Sequence, residues 1–93
     1  MEQEPNVLPR NEYVYSNTAE LLELLSAKFE NHINTIKNLY KANEEMFEFD
    51  PHDYDLIQAR QENLEIINNK IKDLKQIQEE IKSICPYHPL VEI

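Results

Sequence analysis

The sequence predicts an all-α protein, an antiparallel two-helix hairpin with coiled-coil-like packing. Apolar residues recur at steps of three and four along two long segments, a pattern typical of amphipathic helices. Pro51 lies between the segments, where it interrupts any continuous helix. The 93 residues include no glycine, which tight β-hairpin turns favour. A chain of this size forms one small domain of modest stability.

The first predicted helix covers about 17–48. Residues 1–15 contain two prolines and show no helical periodicity, so we expect an extended or disordered N-terminal arm. Asn17 and Glu20 then have the spacing of a capping box, which marks a helix start.

A single apolar stripe follows the first helix. In heptad terms, the a positions hold Leu22, Phe29, Ile36 and Asn43, and the d positions hold Leu25, His32, Leu39 and Met46. The two polar members, His32 and Asn43, are predicted to set the register of the helices, because a polar seam residue restricts which pairings are favourable.

The second predicted helix covers about 51–85, and residues 86–93 form a C-terminal tail. Asp50 is predicted as the N-cap, with Pro51 and Asp53 in the first turn. Pro86 ends the helix. The apolar stripe of this helix is Tyr54, Ile57, Leu64, Ile67, Ile71, Leu74, Ile77, Ile81 and Ile84.

Folding the chain between Phe49 and Asp50 predicts the register of the hairpin. It pairs Leu22 with Ile77, Leu25 with Leu74, Phe29 with Ile71, and Ile36 with Leu64.

The open end of the hairpin carries more apolar surface than one seam can bury. We predict that a partner binds there through Leu21, Leu24, Ile77, Ile84, Tyr87 and Leu90. Alternatively, the N-terminal arm and the C-terminal tail could fold over this apolar surface. We favour another chain, either a second copy completing a helical bundle or a different subunit, because two-helix units rarely have enough core alone.

The tip of the hairpin is acidic. Its six carboxylates are Glu44, Glu45, Glu48, Asp50, Asp53 and Asp55. No Lys or Arg lies between Lys41 and Arg60. The tip is either a contact for a basic partner or a solvated end that keeps the protein soluble.

Composition argues against several function classes. The formal net charge of −9 and the dispersed lysines disfavour direct binding of nucleic acid or anionic lipid. Phosphate-binding loops and nucleophile elbows use glycine, so the absence of glycine disfavours enzymes built on these motifs. One cysteine, no secretory signal and no membrane-spanning stretch predict an intracellular protein, cytoplasmic or nuclear.

Two short motifs contain residue types that can bind a metal or act in catalysis. Cys85 and His88 have a C-x-x-H spacing, but a structural zinc site needs four ligands, and no group that would orient a Cys–His catalytic pair is evident. The run from Asp50 to Asp55 lacks the glycine and ligand spacing of a calcium loop. We therefore expect no cofactor, no metal and no catalytic residue.

The sequence thus favours a non-catalytic protein–protein interaction module, a small coiled-coil subunit or adaptor of a larger assembly. The alternative is an acidic inhibitor or nucleic-acid mimic of phage or virus type, acting through its carboxylates. A zinc or thiol enzyme is the third hypothesis.

Overall fold

The computed structural model describes residues 7–92 as two long helices and a short one. Helix α1 spans Val7–Phe49, helix α2 spans Tyr54–Ile84, and a 3₁₀ helix spans Pro89–Glu92. Helices α1 and α2 pack against each other as an antiparallel hairpin, which confirms the predicted all-α class. At about 1.5 Å per residue, α1 is about 64 Å long and α2 about 46 Å.

Helix α1 begins earlier than predicted. Residues 7–15, which were predicted as an extended or disordered arm, belong to the helix, and residues 1–6 of the predicted arm lie outside the described residues. Pro9 is compatible with this start because it occupies the first turn, where backbone N–H groups have no partner within the helix.

The turn between the helices also differs from the prediction. The N-cap of α2 is Asp53, whose Oδ1 accepts a hydrogen bond from the backbone N–H of Leu56 at 3.1 Å. Asp50, the predicted N-cap, instead accepts from the N–H of His52 at 3.1 Å. The Asp53 N–H donates to the Asp50 carbonyl at 3.3 Å. Asp50 and Pro51 therefore build a β-turn before the helix, which suits proline at its second position.

The seam of α1 matches its predicted heptad. All eight predicted a and d residues are buried or half-buried. The seam of α2 was predicted only in part, because the seam residues follow a strict alternation of four and three, and each of them is buried or half-buried. They are Leu56, Arg60, Asn63, Ile67, Lys70, Leu74, Ile77, Ile81 and Ile84. In heptad terms, Arg60, Ile67, Leu74 and Ile81 are the a positions of α2, and the other five are its d positions. Tyr54, Ile57, Leu64 and Ile71, which were predicted in the stripe, lie beside this seam.

The register of the helices differs from the prediction by more than one turn. The predicted pairs place Asn68 opposite His32, whereas His32 Nε2 lies 3.7 Å from Asp73 Oδ2. The predicted helices, about 17–48 and about 51–85, left only residues 49 and 50 for the turn, whereas residues 50–53 lie outside both helices. These residues lengthen the connection, so each position of α1 meets a position further along α2.

The hydrophobic core lies at the open end of the hairpin. Its main cluster consists of Leu25, Phe29, Ile77 and Ile81, and Ile67 is buried separately, closer to the tip. Leu90 and Val91 of the C-terminal tail pack against this cluster. The Gln78 side chain holds the tail by donating to the Leu90 carbonyl at 2.8 Å. The tail therefore covers part of the open end, which was predicted to be covered chiefly by another chain.

Candidate interaction surfaces

The open end keeps exposed apolar side chains beside the core. Leu21 and Leu24 are 44% and 55% exposed, and Tyr87 is 92% exposed. Leu22, their neighbour on α1, packs against the core cluster together with Ile84, the last residue of α2. Helix α1 therefore continues on the N-terminal side of Leu22 beyond the level at which α2 ends.

Three residues predicted to bind a partner belong to the fold itself. Ile77 is only 6% exposed and is part of the core. Ile84 and Leu90 are half-buried and pack against that core. The sequence pattern did not separate these residues from Leu21 and Leu24, because all of them converge on the same end of the hairpin.

Cys85 and His88 close the turn that leads into the tail. The backbone N–H of Cys85 donates to the Ile81 carbonyl at 2.7 Å and ends the helix. The N–H of His88 donates to the Cys85 carbonyl at 3.1 Å, and His88 Nδ1 accepts from the Leu90 N–H at 3.1 Å. Within residues 7–92, no three His, Cys, Asp or Glu side chains are arranged to hold a metal ion.

The two polar residues predicted to set the register both lie in the seam. Asn43 Nδ2 donates to the Arg60 carbonyl at 3.1 Å, and Asn43 Oδ1 accepts from Asn63 Nδ2 at 2.9 Å. His32 is half-buried beside the exposed Asp73. The Asn43 amide therefore uses both its donor and its acceptor across the seam, and a shifted pairing would lose these bonds.

All six carboxylates of the acidic tip are exposed. Asp53 and Asp50 also form the local hydrogen bonds of the helix cap and the turn. These two residues therefore have a structural role that needs no partner, while the side chains of the other four acids form no hydrogen bond or ion pair with residues 7–92.

Exposed aromatic residues surround this tip. Phe49 is 85% exposed, Tyr54 is 71% exposed and Phe47 is 54% exposed. The Arg60 guanidinium lies 5.0 Å from the centre of the Phe47 ring and donates to the Pro51 carbonyl at 3.3 Å. Tyr54 was predicted in the stripe of α2 but lies outside its seam, and Phe47 lies beside the seam of α1.

A shallow groove runs along one side of the hairpin and is lined by Lys28, His32, Asp73, Gln76, Ile77 and Glu80. Lys28 comes from α1, while Asp73 and Glu80 come from α2, so these three residues identify the heptad g positions of both helices as neighbours on this side.

The opposite side carries an apolar surface that sequence reasoning missed. The e positions of both helices lie there, since Gln78 holds the tail on this side. We call this surface the lateral face, and its residues are Ile33, Tyr40, Phe47, Ile57, Leu64 and Ile71. Tyr40 and Leu64 are 52% and 45% exposed. The sequence does contain the pattern of the lateral face, an apolar residue every seven positions beside the seam. It can be recognised only when the seam residues of α2 are known.

No family model, curated protein or solved structure matches this chain. The helices of the described region include none with a segment long and apolar enough to cross a membrane.

Proposed function

We propose that this protein is a non-catalytic helical interaction module, a subunit or adaptor that binds another protein chain at the open end of its hairpin. The observation that carries the proposal is the exposure of Leu21 and Leu24 beside a core that the chain's own tail already covers in part. The tail leaves both leucines in water, and its own Tyr87 is also exposed.

The energetic argument concerns the surface these leucines leave in water. Each is about half exposed, and full burial of a leucine contributes about 1.5 to 3 kcal/mol. Burying the remainder against a partner therefore contributes about 1 kcal/mol for each leucine. Helix α1 extends past α2 at this end, so a partner helix has a surface along which to pack.

The test is affinity capture from the native host with Leu21→Glu and Leu24→Glu combined. We expect the double variant to lose the partner that the wild-type chain captures, because two charges replace the apolar contact. The matched control combines Ala27→Glu with Asn31→Glu, which adds the same charges at exposed positions of the same helix. Circular dichroism should show equal helix content in all three proteins. A double variant that captures the same partner as wild type would place the interface elsewhere.

The alternative function is an acidic mimic acting through the tip. The salt dependence of binding distinguishes it from binding through the open end. Binding through exposed carboxylates weakens steeply as ionic strength rises, while binding through apolar contacts does not. The tip acids are exposed as that function requires, but Asp50 and Asp53 already serve the turn and the helix cap. The apolar open end is therefore the better supported site.

A further inference from the structure

A second surface, the lateral face, has a composition that suits a second copy of this chain. Its six apolar side chains occupy the e positions beside the seam, three on each helix. The seam contacts His32–Asp73 and Asn43–Asn63 place them at three common levels along the hairpin. By this register Ile33 is level with Ile71, Tyr40 with Leu64, and Phe47 with Ile57.

At the open end of the hairpin, the C-terminal tail already packs on this side. Gln78, at the next e position of α2, holds the tail there, and Leu90 packs on the core beside it. Below the tail the side is uncovered, with Tyr40, Phe47 and Leu64 between 45% and 54% exposed. The lateral face is therefore continuous with the surface on which the chain's own C-terminal tail packs, at the open end of the hairpin.

The two edges of the lateral face differ in charge. The heptad b positions of α1 form one edge with Glu23, Glu30, Lys37 and Glu44. The b positions of α2 form the other edge with Gln61, Asn68, Lys75 and Lys82. All eight residues are exposed. One edge is thus mainly acidic, while the other carries lysines and no acid.

We propose that two copies of the chain pack by their lateral faces into a four-helix bundle with both tips at the same end. A two-fold axis parallel to the helices then sets α1 of each copy beside α2 of the other. The acidic edge meets the basic edge twice, and the register places Glu30 at the level of Lys75 of the other copy.

Opposed tips would instead set each acidic edge against itself. Placing the tips together has a cost, since it brings the two acidic tips to one end. These carboxylates are exposed, and charges at the surface are screened over about 8 Å at physiological ionic strength.

The size of the face predicts a weak dimer. Residues 30–47 span about 26 Å along the helix, and two adjacent helices are about 20 Å wide. Each copy therefore contributes about 500 Å², and the total of about 1,000 Å² is at the lower limit for specific interfaces. We expect self-association with a Kd of about micromolar order.

Sedimentation equilibrium of the purified full chain tests the proposal with a matched pair of variants. Leu64 and Ile66 lie two residues apart on α2 and are 45% and 43% exposed, but Ile66 is on the opposite side of the hairpin. Leu64→Glu should weaken the dimer at least about tenfold, because it places a charge in an apolar interface. Ile66→Glu should leave the dimer unchanged.

Charge reversal tests whether the two copies pack with their tips at the same end. Glu30→Lys and Lys75→Glu should each weaken the dimer about threefold, and the double variant should regain wild-type association. Failure of the double variant to recover would overturn the tips-together arrangement. A wild-type chain that stays monomeric up to about millimolar concentration, or equal dimer loss in the Leu64 and Ile66 variants, would overturn the dimer.

This proposal is independent of the function proposed for the open end. Leu21→Glu with Leu24→Glu should leave self-association intact, whereas Leu64→Glu should leave capture of the open-end partner intact. Loss of self-association in the Leu21 and Leu24 variant would contradict the assignment of the dimer to the lateral face.

Discussion

Two adjacent isoleucines of α2 test the seam directly. Ile67 is 1% exposed and Ile66 is 43% exposed, although both have the same side chain and lie in the same helix. We expect Ile67→Ala to lower the free energy of unfolding by about 3 to 4 kcal/mol, within the range measured for buried isoleucines. This loss combines the transfer of the buried carbons with the cavity they leave.

The same substitution at Ile66 should cost far less. Because Ile66 is only about half buried, its replacement loses about half of the free energy that full burial contributes, roughly 1 kcal/mol, and no closed cavity forms. Alanine favours the helix by up to about 0.5 kcal/mol, which leaves a net loss of about 0.5 kcal/mol. The two variants should therefore differ by about 3 kcal/mol, which corresponds to a difference of about 12 to 24 °C in Tm for a domain of this size.

The assay is urea unfolding followed by helical circular dichroism at a protein concentration well below the expected Kd. The dependence of the unfolding free energy on urea should be equal in both variants, since the helices expose the same surface when they unfold. Equal losses in the two variants, or a larger loss for Ile66→Ala, would refute the assigned seam and the register derived from it.

Two further predictions concern the polar contacts that shape the hairpin. Asn43→Ala should lower the free energy of unfolding by about 1 to 2 kcal/mol, because it leaves the Asn63 amide without its acceptor. Asn38→Ala, at an exposed position of α1, should change it by less than about 0.5 kcal/mol in the same urea titration. Asp53→Ala should cost about 1 kcal/mol through loss of the N-cap, with Tm as the measurement. Asp53→Asn keeps the acceptor, and a Tm as low as that of the alanine variant would contradict the capping role.

The sequence by itself determined the fold class and the seam of α1. Its apolar residues recur with one dominant heptad period, so a single face of α1 suits burial. Pro86 likewise determined where α2 ends, because the residue before a proline is disfavoured in a helix. These outcomes depend on local backbone chemistry and on spacing within one helix.

Only the tertiary structure decided which face of α2 lies in the seam. Two apolar stripes run side by side along α2, and the stripe containing Ile57, Leu64 and Ile71 is the more continuous in sequence. The seam instead contains the polar residues Arg60, Asn63 and Lys70. Periodicity records which faces of a helix are apolar, but burial depends on the partner helix and on how the connecting turn aligns it.

The same reason explains what could be predicted of the candidate sites. Leu21 and Leu24 were singled out from sequence because they flank the α1 stripe, and the structure leaves both exposed, while their role in binding stays a prediction. The lateral face was missed because its α2 residues, Ile57, Leu64 and Ile71, were assigned to the seam. Ile77 was placed on a partner surface although α1 buries it, since an apolar side chain has the same sequence signature in a core and in an interface.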